Sequence, residues 1–264
     1  MSSSHGDPSW LILTSIRYDP QLQDYDDCYY ILSYHQARVL AAANDFGWEE
    51  GQKLLKGSGG LAHLKTALDS HVKSDISSSL PDRKRCYKVR VLLSSDGRLT
   101  ISSEEVQAVP RDCLFPSSLE LPARVPKDLG IPLTWRIYVS PIRTVRSLYT
   151  KHKTSHRPMY NEAREHIPSS DESSGSVLNA EILMVNENDE IMEGSITTPY
   201  FQRNGLWVTP SSSCGGNLGT TRRWALEKEL CIEGTVMRVD LKVGELVWLS
   251  NAVKGWGLGT VHSL

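Results

Sequence analysis

The sequence predicts an α+β chain built in two parts, and three observations carry that reading. Ile31 to Phe46 places apolar residues at helical spacing, at Val39, Leu40, Ala43 and Phe46, and ends at Gly47. Strand-like runs come in pairs around turn-forming residues: Ser94-Ser-Asp-Gly97, Asn186 to Asp189 and Gln202-Arg-Asn-Gly205. Between the two halves, Leu114 to Pro132 carries four prolines and little periodicity, and reads as a linker. The expected division is a small domain over 1–121, a linker over 122–132 and a larger domain over 133–264.

In chain order, Trp10 to Tyr18 is apolar and β-rich and breaks at Asp19-Pro20, as a buried strand does. The helix over Ile31 to Phe46 comes next. Gly51 to Ser70 is a second helical region, with a flexible break expected at Gly57-Ser-Gly-Gly60, and Ser74 to Asp82 is polar and reads as a loop. Cys86 to Leu93 and Arg98 to Ser102 form a hairpin, with a separate strand expected over Glu104 to Pro110. The second half opens with a strand over Leu133 to Val139. An extended basic segment comes after it, and then a short helix over Pro158 to His166. Ser169 to Ser176 is a polar loop, and its two acidic residues read as surface charge. Strands are expected over Ala180 to Val185, Ile191 to Thr197 and either side of Gln202 to Gly205. A helix over Thr220 to Leu230 and one or two strands in Val236 to Leu249 complete the chain.

The 264 residues suffice for a sizeable core, and 39% hydrophobic with 23% charged residues is ordinary for a globular protein. A net charge of −2 gives no nucleic-acid footprint. No apolar run approaches the ~18 residues of a membrane helix. MSSSHGDPSW lacks the basic and apolar regions of a secretory signal. The five cysteines are dispersed without a C-x-x-C pair, which fits a reducing compartment, and a cytoplasmic location is expected. His152 and His156 are four apart, but no third ligand accompanies them, so no metal site is expected.

Chemistry concentrates in Ser147 to Tyr160, SLYTKHKTSHRPMY, and in three motifs downstream. Lys153 precedes Thr154 and Ser155. The downstream motifs are Glu193-Gly-Ser195, the Gly205-Leu-Trp-Val-Thr-Pro210 strand and Leu218-Gly-Thr-Thr-Arg222 at a helix start. In that order these motifs resemble the fold type IV pyridoxal-phosphate enzymes, which include D-amino-acid and branched-chain aminotransferases and 4-amino-4-deoxychorismate lyase. The helix motif His35-Gln-Ala-Arg38-Val-Leu40 is similar too. The resemblance implies a two-domain α+β fold of the D-amino-acid aminotransferase type, with pyridoxal 5′-phosphate in the interdomain cleft. It also implies a homodimer.

Residue by residue, the resemblance implies that Lys153 is the amine joined to the cofactor aldehyde and the proton-transfer base. Lys151, two residues earlier on the same face of an extended segment, is the competing amine. Glu193 is expected at the pyridine nitrogen and Arg38 at the phosphate, where a guanidinium fork matches the oxygens. Gly219, Thr220 and Thr221 would form the phosphate cradle at a helix start. Leu249-Ser-Asn-Ala252 resembles the last cofactor-proximal strand end, which brings in Ser250 and Asn251. The family's aminotransferases usually carry a tyrosine soon after the lysine; here Arg157 and Pro158 stand near that place and Tyr160 falls two residues late.

Within the family, the helix motif, the H-K-T-S-x-R segment and the terminal L-S-N-A-V-K-G resemble the eukaryotic, fungal-type aminodeoxychorismate lyases. That implies elimination of pyruvate to give p-aminobenzoate for folate synthesis. The small-molecule substrate carries two carboxylates, for which Arg157 and Lys254 are candidate partners. The alternatives are a class IV aminotransferase acting on branched-chain amino acids, D-amino acids or amines, and a non-catalytic scaffold. The last is disfavoured by the intact Lys153, Glu193 and Thr221.

Overall fold

The computed structural model describes residues 10–22, 27–76, 85–121, 133–168 and 179–263. The chain divides into two compact units: Met1–Ala108 with His152–His156, and Val109–Lys151 with Arg157–Leu264. Residues 152–156, which carry Lys153, thus group with the amino-terminal unit and not with their chain neighbours. The linker expected over 122–132 and the polar loop over 169–176 lie outside the described residues, as does most of the loop expected after Ser74.

Among the described residues, the amino-terminal unit is a three-stranded antiparallel sheet with three α-helices. Strands β1 (Ile12–Tyr18), β2 (Cys86–Leu93) and β3 (Leu99–Val106) lie in the order β1-β2-β3. The helices are α1 (Leu32–Asp45), α2 (Glu49–Leu55) and α3 (Gly57–His71). α1 buries Leu32, His35, Val39, Ala42 and Ala43, spaced three or four apart, so one stripe faces the core. That stripe packs with Ile12, Ile16, Val89, Val91 and Leu93 from the sheet and Leu55, Leu64 and Leu68 from α2 and α3. Each such side chain contributes about 1.5–3 kcal/mol by leaving water.

Two expectations are corrected by this unit. Gly57 to Gly60 is the first turn of α3 rather than a flexible break. A Cβ on Gly60 would come within 2.1 Å of the Leu55 carbonyl carbon, so that glycine lets two helices meet closely. Glu104 to Val106 is not a separate strand. It continues β3, because the pairing with β2 runs unbroken from Leu93↔Leu99 to Cys86↔Val106.

The carboxy-terminal unit holds eight strands: β4 (Leu133–Thr144), β5 (Asn179–Asn186), β6 (Ile191–Gly194), β7 (Thr198–Arg203), β8 (Leu206–Pro210), β9 (Ile232–Gly234), β10 (Leu246–Asn251) and β11 (Gly255–Ser263). Their order is β6-β5-β4-β11-β10-β7-β8-β9. The pairs β4/β5, β4/β11 and β8/β9 are parallel. Among the described residues, the α-helices of this unit are α4 (Leu148–Lys151), α5 (Pro158–Arg164) and α6 (Thr220–Glu227). Along β10, Val247, Trp248, Leu249 and Ser250 are all buried, which is why this strand reads as a run and not as an alternation. The Asn204-Gly205 turn has φ of 52° and 79°, the left-handed pair that a two-residue hairpin requires.

β4 runs beyond Val139, through Pro141. The register with β5 shifts between Val139 and Arg143, and Ser140 Oγ accepts from the Ile142 N–H, so a bulge carries the strand past the proline. The expectation of an extended segment through Lys151 also fails. The Ser147 N–H donates to Thr150 Oγ1 at 3.0 Å and the Thr150 N–H to Ser147 Oγ at 3.3 Å, and this reciprocal cap closes α4. β9 and β11 were not foreseen as strands.

Candidate functional site

In the amino-terminal unit, Lys153 is held by its backbone. Its carbonyl accepts from the Leu13 N–H at 2.9 Å, Thr154 bridges to Ile12, and the Ser155 N–H donates to the Leu11 carbonyl at 2.8 Å. Residues 153–155 therefore extend the sheet along β1. His152 is buried, with Nε2 2.7 Å from Asp45 Oδ2 at the end of α1. Lys153 itself is half-buried.

Arg38 lies on α1 one turn after His35. Its guanidinium donates to Thr14 Oγ1, and the Thr14 hydroxyl lies 2.7 Å from His35 Nδ1. Arginine only donates, so Thr14 accepts from Arg38 and donates its own O–H to His35 Nδ1. Burial, with the charges of Arg38 and Lys153, keeps His35 well below the usual imidazole range, and hence neutral. Burial brings the Arg38 guanidinium down to about 10. Its Nε is buried without a hydrogen-bond partner, and among the described residues no carboxylate pairs with it. A half-buried cation with a buried, unbonded Nε fits an anionic ligand group, which is the role expected for the cofactor phosphate.

In the carboxy-terminal unit, Glu193 is buried near the end of β6 and accepts from the Tyr160 hydroxyl at 2.5 Å. The turn after it is fixed by a second acid, Glu181, which is fully buried. Ser195 Oγ and Thr197 Oγ1 donate to Glu181, each at 2.6 Å, and the Ile196 N–H donates at 3.2 Å. Arg157 donates to the Ser195 carbonyl at 2.7 Å and lies over the Tyr160 ring at 4.4 Å. Glu181 was missed in the sequence, although a lone acid inside Ala180-Glu-Ile-Leu-Met-Val185 is a visible signal. Tyr160 was noticed only as a displaced residue.

Gly219 caps α6 and has no side chain of its own to satisfy the first N–H groups of that helix. A Cβ on Gly219 would lie 2.7 Å from Thr198 Oγ1, so the tight entry needs glycine. Thr220 and Thr221 are buried in the first turn. Ser250 Oγ donates to Thr221 Oγ1 at 2.8 Å and lies 2.9 Å from the Tyr200 hydroxyl, which leaves Thr221 its own proton to donate. This helix start presents N–H and O–H donors together, as an anion cradle does.

The remaining candidates have other contacts. Asn251 Oδ1 accepts from the N–H groups of Val253 and Lys254, and its amide donates to the Ile196 carbonyl at 3.3 Å. It therefore holds the β10–β11 turn. Lys254 is exposed, with its ammonium 4.9 Å from the centre of the Trp135 ring. Lys151 ends α4 and its carbonyl accepts from the Leu218 N–H. Among the described residues, no three His, Cys, Asp or Glu side chains are grouped to hold a metal ion.

Comparisons with known proteins place the chain in a family and a fold. The model of the amino-transferase class IV family matches residues 52–258. Aminodeoxychorismate lyase of Saccharomyces cerevisiae is 32% identical over 199 residues, covering 69% of this chain and 53% of the yeast protein. The chain thus spans about half the length of that relative. The structure of 4-amino-4-deoxychorismate lyase from Pseudomonas aeruginosa aligns with a TM-score of 0.59 and 16% identity, over 100% of this chain and 88% of that one. A fold IV transaminase from Curtobacterium pusillum gives 0.61 and 13%, over 95% and 78%. At these identities the two structures speak for the fold.

Proposed function

The chain belongs to the class IV aminotransferase family, and from that premise we propose that it is a pyridoxal-phosphate-dependent 4-amino-4-deoxychorismate lyase. The observation that carries the cofactor assignment is Arg38: a half-buried arginine whose Nε is buried without a hydrogen-bond partner, in the unit that also holds Lys153. The choice of lyase over aminotransferase is supported by the similarity to the yeast lyase.

When bound, pyridoxal phosphate supplies an aldehyde for the substrate amine and a ring that takes up the electron pair released at the neighbouring carbon. Lys153 would be the amine that holds the aldehyde end of the cofactor, and with substrate in place it would act as base on the ring C–H proton beside the substrate amine. Loss of that proton and of enolpyruvate leaves an aromatic amine. The proton held by Lys153 is returned as enolpyruvate becomes pyruvate, so no oxidant, reductant or second substrate is consumed. Glu193 would hold a proton on the pyridine nitrogen. Arg38 and the donors of Gly219, Thr220 and Thr221 would hold the phosphate, with Ser250 orienting Thr221. Asn251 would shape the strand end beside them. Arg157 and Lys254 are the proposed partners of the substrate carboxylates.

Under the same proposal the chain acts as a homodimer in the cytoplasm and serves folate synthesis. Among the described residues, no helix is long and apolar enough to cross a membrane. The test is an amine-donor screen. With alanine, valine and their D-forms, the cofactor spectrum should stay unchanged, whereas aminodeoxychorismate should yield p-aminobenzoate. Conversion of the cofactor by a simple amino acid, with no p-aminobenzoate formed, would instead select the aminotransferase.

A further inference from the structure

Tyr160 occupies the inner face of α5. Its ring is buried with Tyr138, Ala163, Ile167, Ile182, Met184 and Met192, so it has little freedom to turn. The hydroxyl has two acceptors in reach: Glu193 Oε1 at 2.5 Å and the Thr150 carbonyl at 3.3 Å. A phenol has one proton, and it goes to the shorter, charged acceptor. Arg157 lies over the opposite part of this arrangement, with its guanidinium 4.4 Å from the ring centre, where a cation strengthens the O–H as a donor. The same guanidinium holds the Ser195 carbonyl, two residues beyond Glu193. Ring, carboxylate and turn are therefore one braced assembly within the carboxy-terminal unit.

We propose that Tyr160 is the positioning residue of Glu193: its hydroxyl fixes one carboxylate oxygen and favours the ionised form, so that Glu193 meets a heteroaromatic N–H as a charged acceptor. This rests on the role given to Glu193 above. A hydrogen bond donated to a carboxylate lowers its basicity. Without the hydroxyl, Glu193 would compete more strongly for the proton it shares with the pyridine nitrogen. Burial and the Glu193 charge hold the Tyr160 phenol well above its ordinary range, so it remains a donor wherever the enzyme works. A tyrosine that merely filled the core would do the same work as phenylalanine.

The test uses holoenzyme carrying pyridoxal phosphate labelled with 15N in the ring. The nitrogen resonance is compared in wild type, Tyr160→Phe and Glu193→Gln, with thermal unfolding and cofactor stoichiometry measured for each. Wild type should show a protonated pyridine nitrogen and Glu193→Gln a neutral one. Tyr160→Phe should be displaced from wild type toward the neutral position at unchanged stoichiometry. A Tyr160→Phe resonance identical to wild type, while Glu193→Gln moves, overturns the inference and leaves the role of Glu193 standing. If neither variant moves, the role of Glu193 is wrong and the inference falls with it. Should Tyr160→Phe fail to fold, 3-fluorotyrosine at position 160 keeps the ring and donates more strongly. A resonance displaced from wild type then supports the inference, and an unchanged one overturns it.

Discussion

His152 Nε2 lies 2.7 Å from Asp45 Oδ2, which ties the residue before Lys153 to the last turn of α1. His152 is buried and packs beside Phe46, so its ring depends on Asp45 for this polar contact. Asp45→Ala should destabilise the protein by about 1–3 kcal/mol, the cost of losing a buried polar partner. Thermal unfolding checks the magnitude. Hydrogen exchange checks the place: the amides of Leu13 and Ser155 should exchange faster, while those pairing β2 with β3 should not.

His35 gives the stability a pH dependence. Its folded pKa lies below its unfolded value of about 6.5, so below that pH the unfolded chain binds the extra proton. The stability due to neutral His35 is present above about pH 6.5 and is lost as pH falls toward the folded value. Denaturant melts at pH 7.5 and 5.5 should differ, and His35→Asn should lose part of that difference. Equal slopes in both proteins would show that His35 is not the titrating group.

Much of the fold was legible because its signals are local. The three-to-four spacing along α1, the turn at Ser94 to Gly97 and the Asn204-Gly205 pair each specify their element within a few residues. The candidate site residues stand out as motifs, since Lys153, Glu193 and the Gly219 to Thr221 turn follow one another along the chain in a recognisable order. What was not legible depends on pairing between distant positions. Nothing near Lys153 says that residues 153–155 line up along β1, some 140 residues earlier. The break expected at Gly57 to Gly60 is closed at Gly60, whose contact with the Leu55 backbone exists only once α2 and α3 are formed. Tyr160 looked misplaced because its partner, Glu193, is 33 residues away.

Arg38→Ala should chiefly weaken cofactor retention. Loss of one partner of a buried charged pair costs about 2–5 kcal/mol. Thr14→Val should act in the same direction and by less, because it removes the hydroxyl that aims the guanidinium but leaves the charge. Dialysis of holoenzyme and then absorbance of the retained cofactor measures both. Retention equal to wild type in Arg38→Ala would remove Arg38 from the phosphate site.

Borohydride reduction of the holoenzyme should fix the cofactor on Lys153, and peptide mapping should show Lys151 unmodified. Lys153→Ala should still bind the phosphate end through Arg38 and the α6 start, with proton transfer lost. Label on Lys151 would place the linking amine on α4 and move the reacting centre away from the segment joined to β1.

The most direct measurement is turnover of enzymatically generated 4-amino-4-deoxychorismate by purified holoenzyme, with no keto acid added. If Lys153 acts as base and the cofactor ends as it began, p-aminobenzoate and pyruvate should appear together, in equal amounts, for many equivalents per enzyme. Glu193→Gln should slow this release and Lys153→Ala should abolish it. Product formation that stops after one equivalent and restarts on addition of 2-oxoglutarate or pyruvate would contradict the lyase and establish an aminotransferase on the same fold.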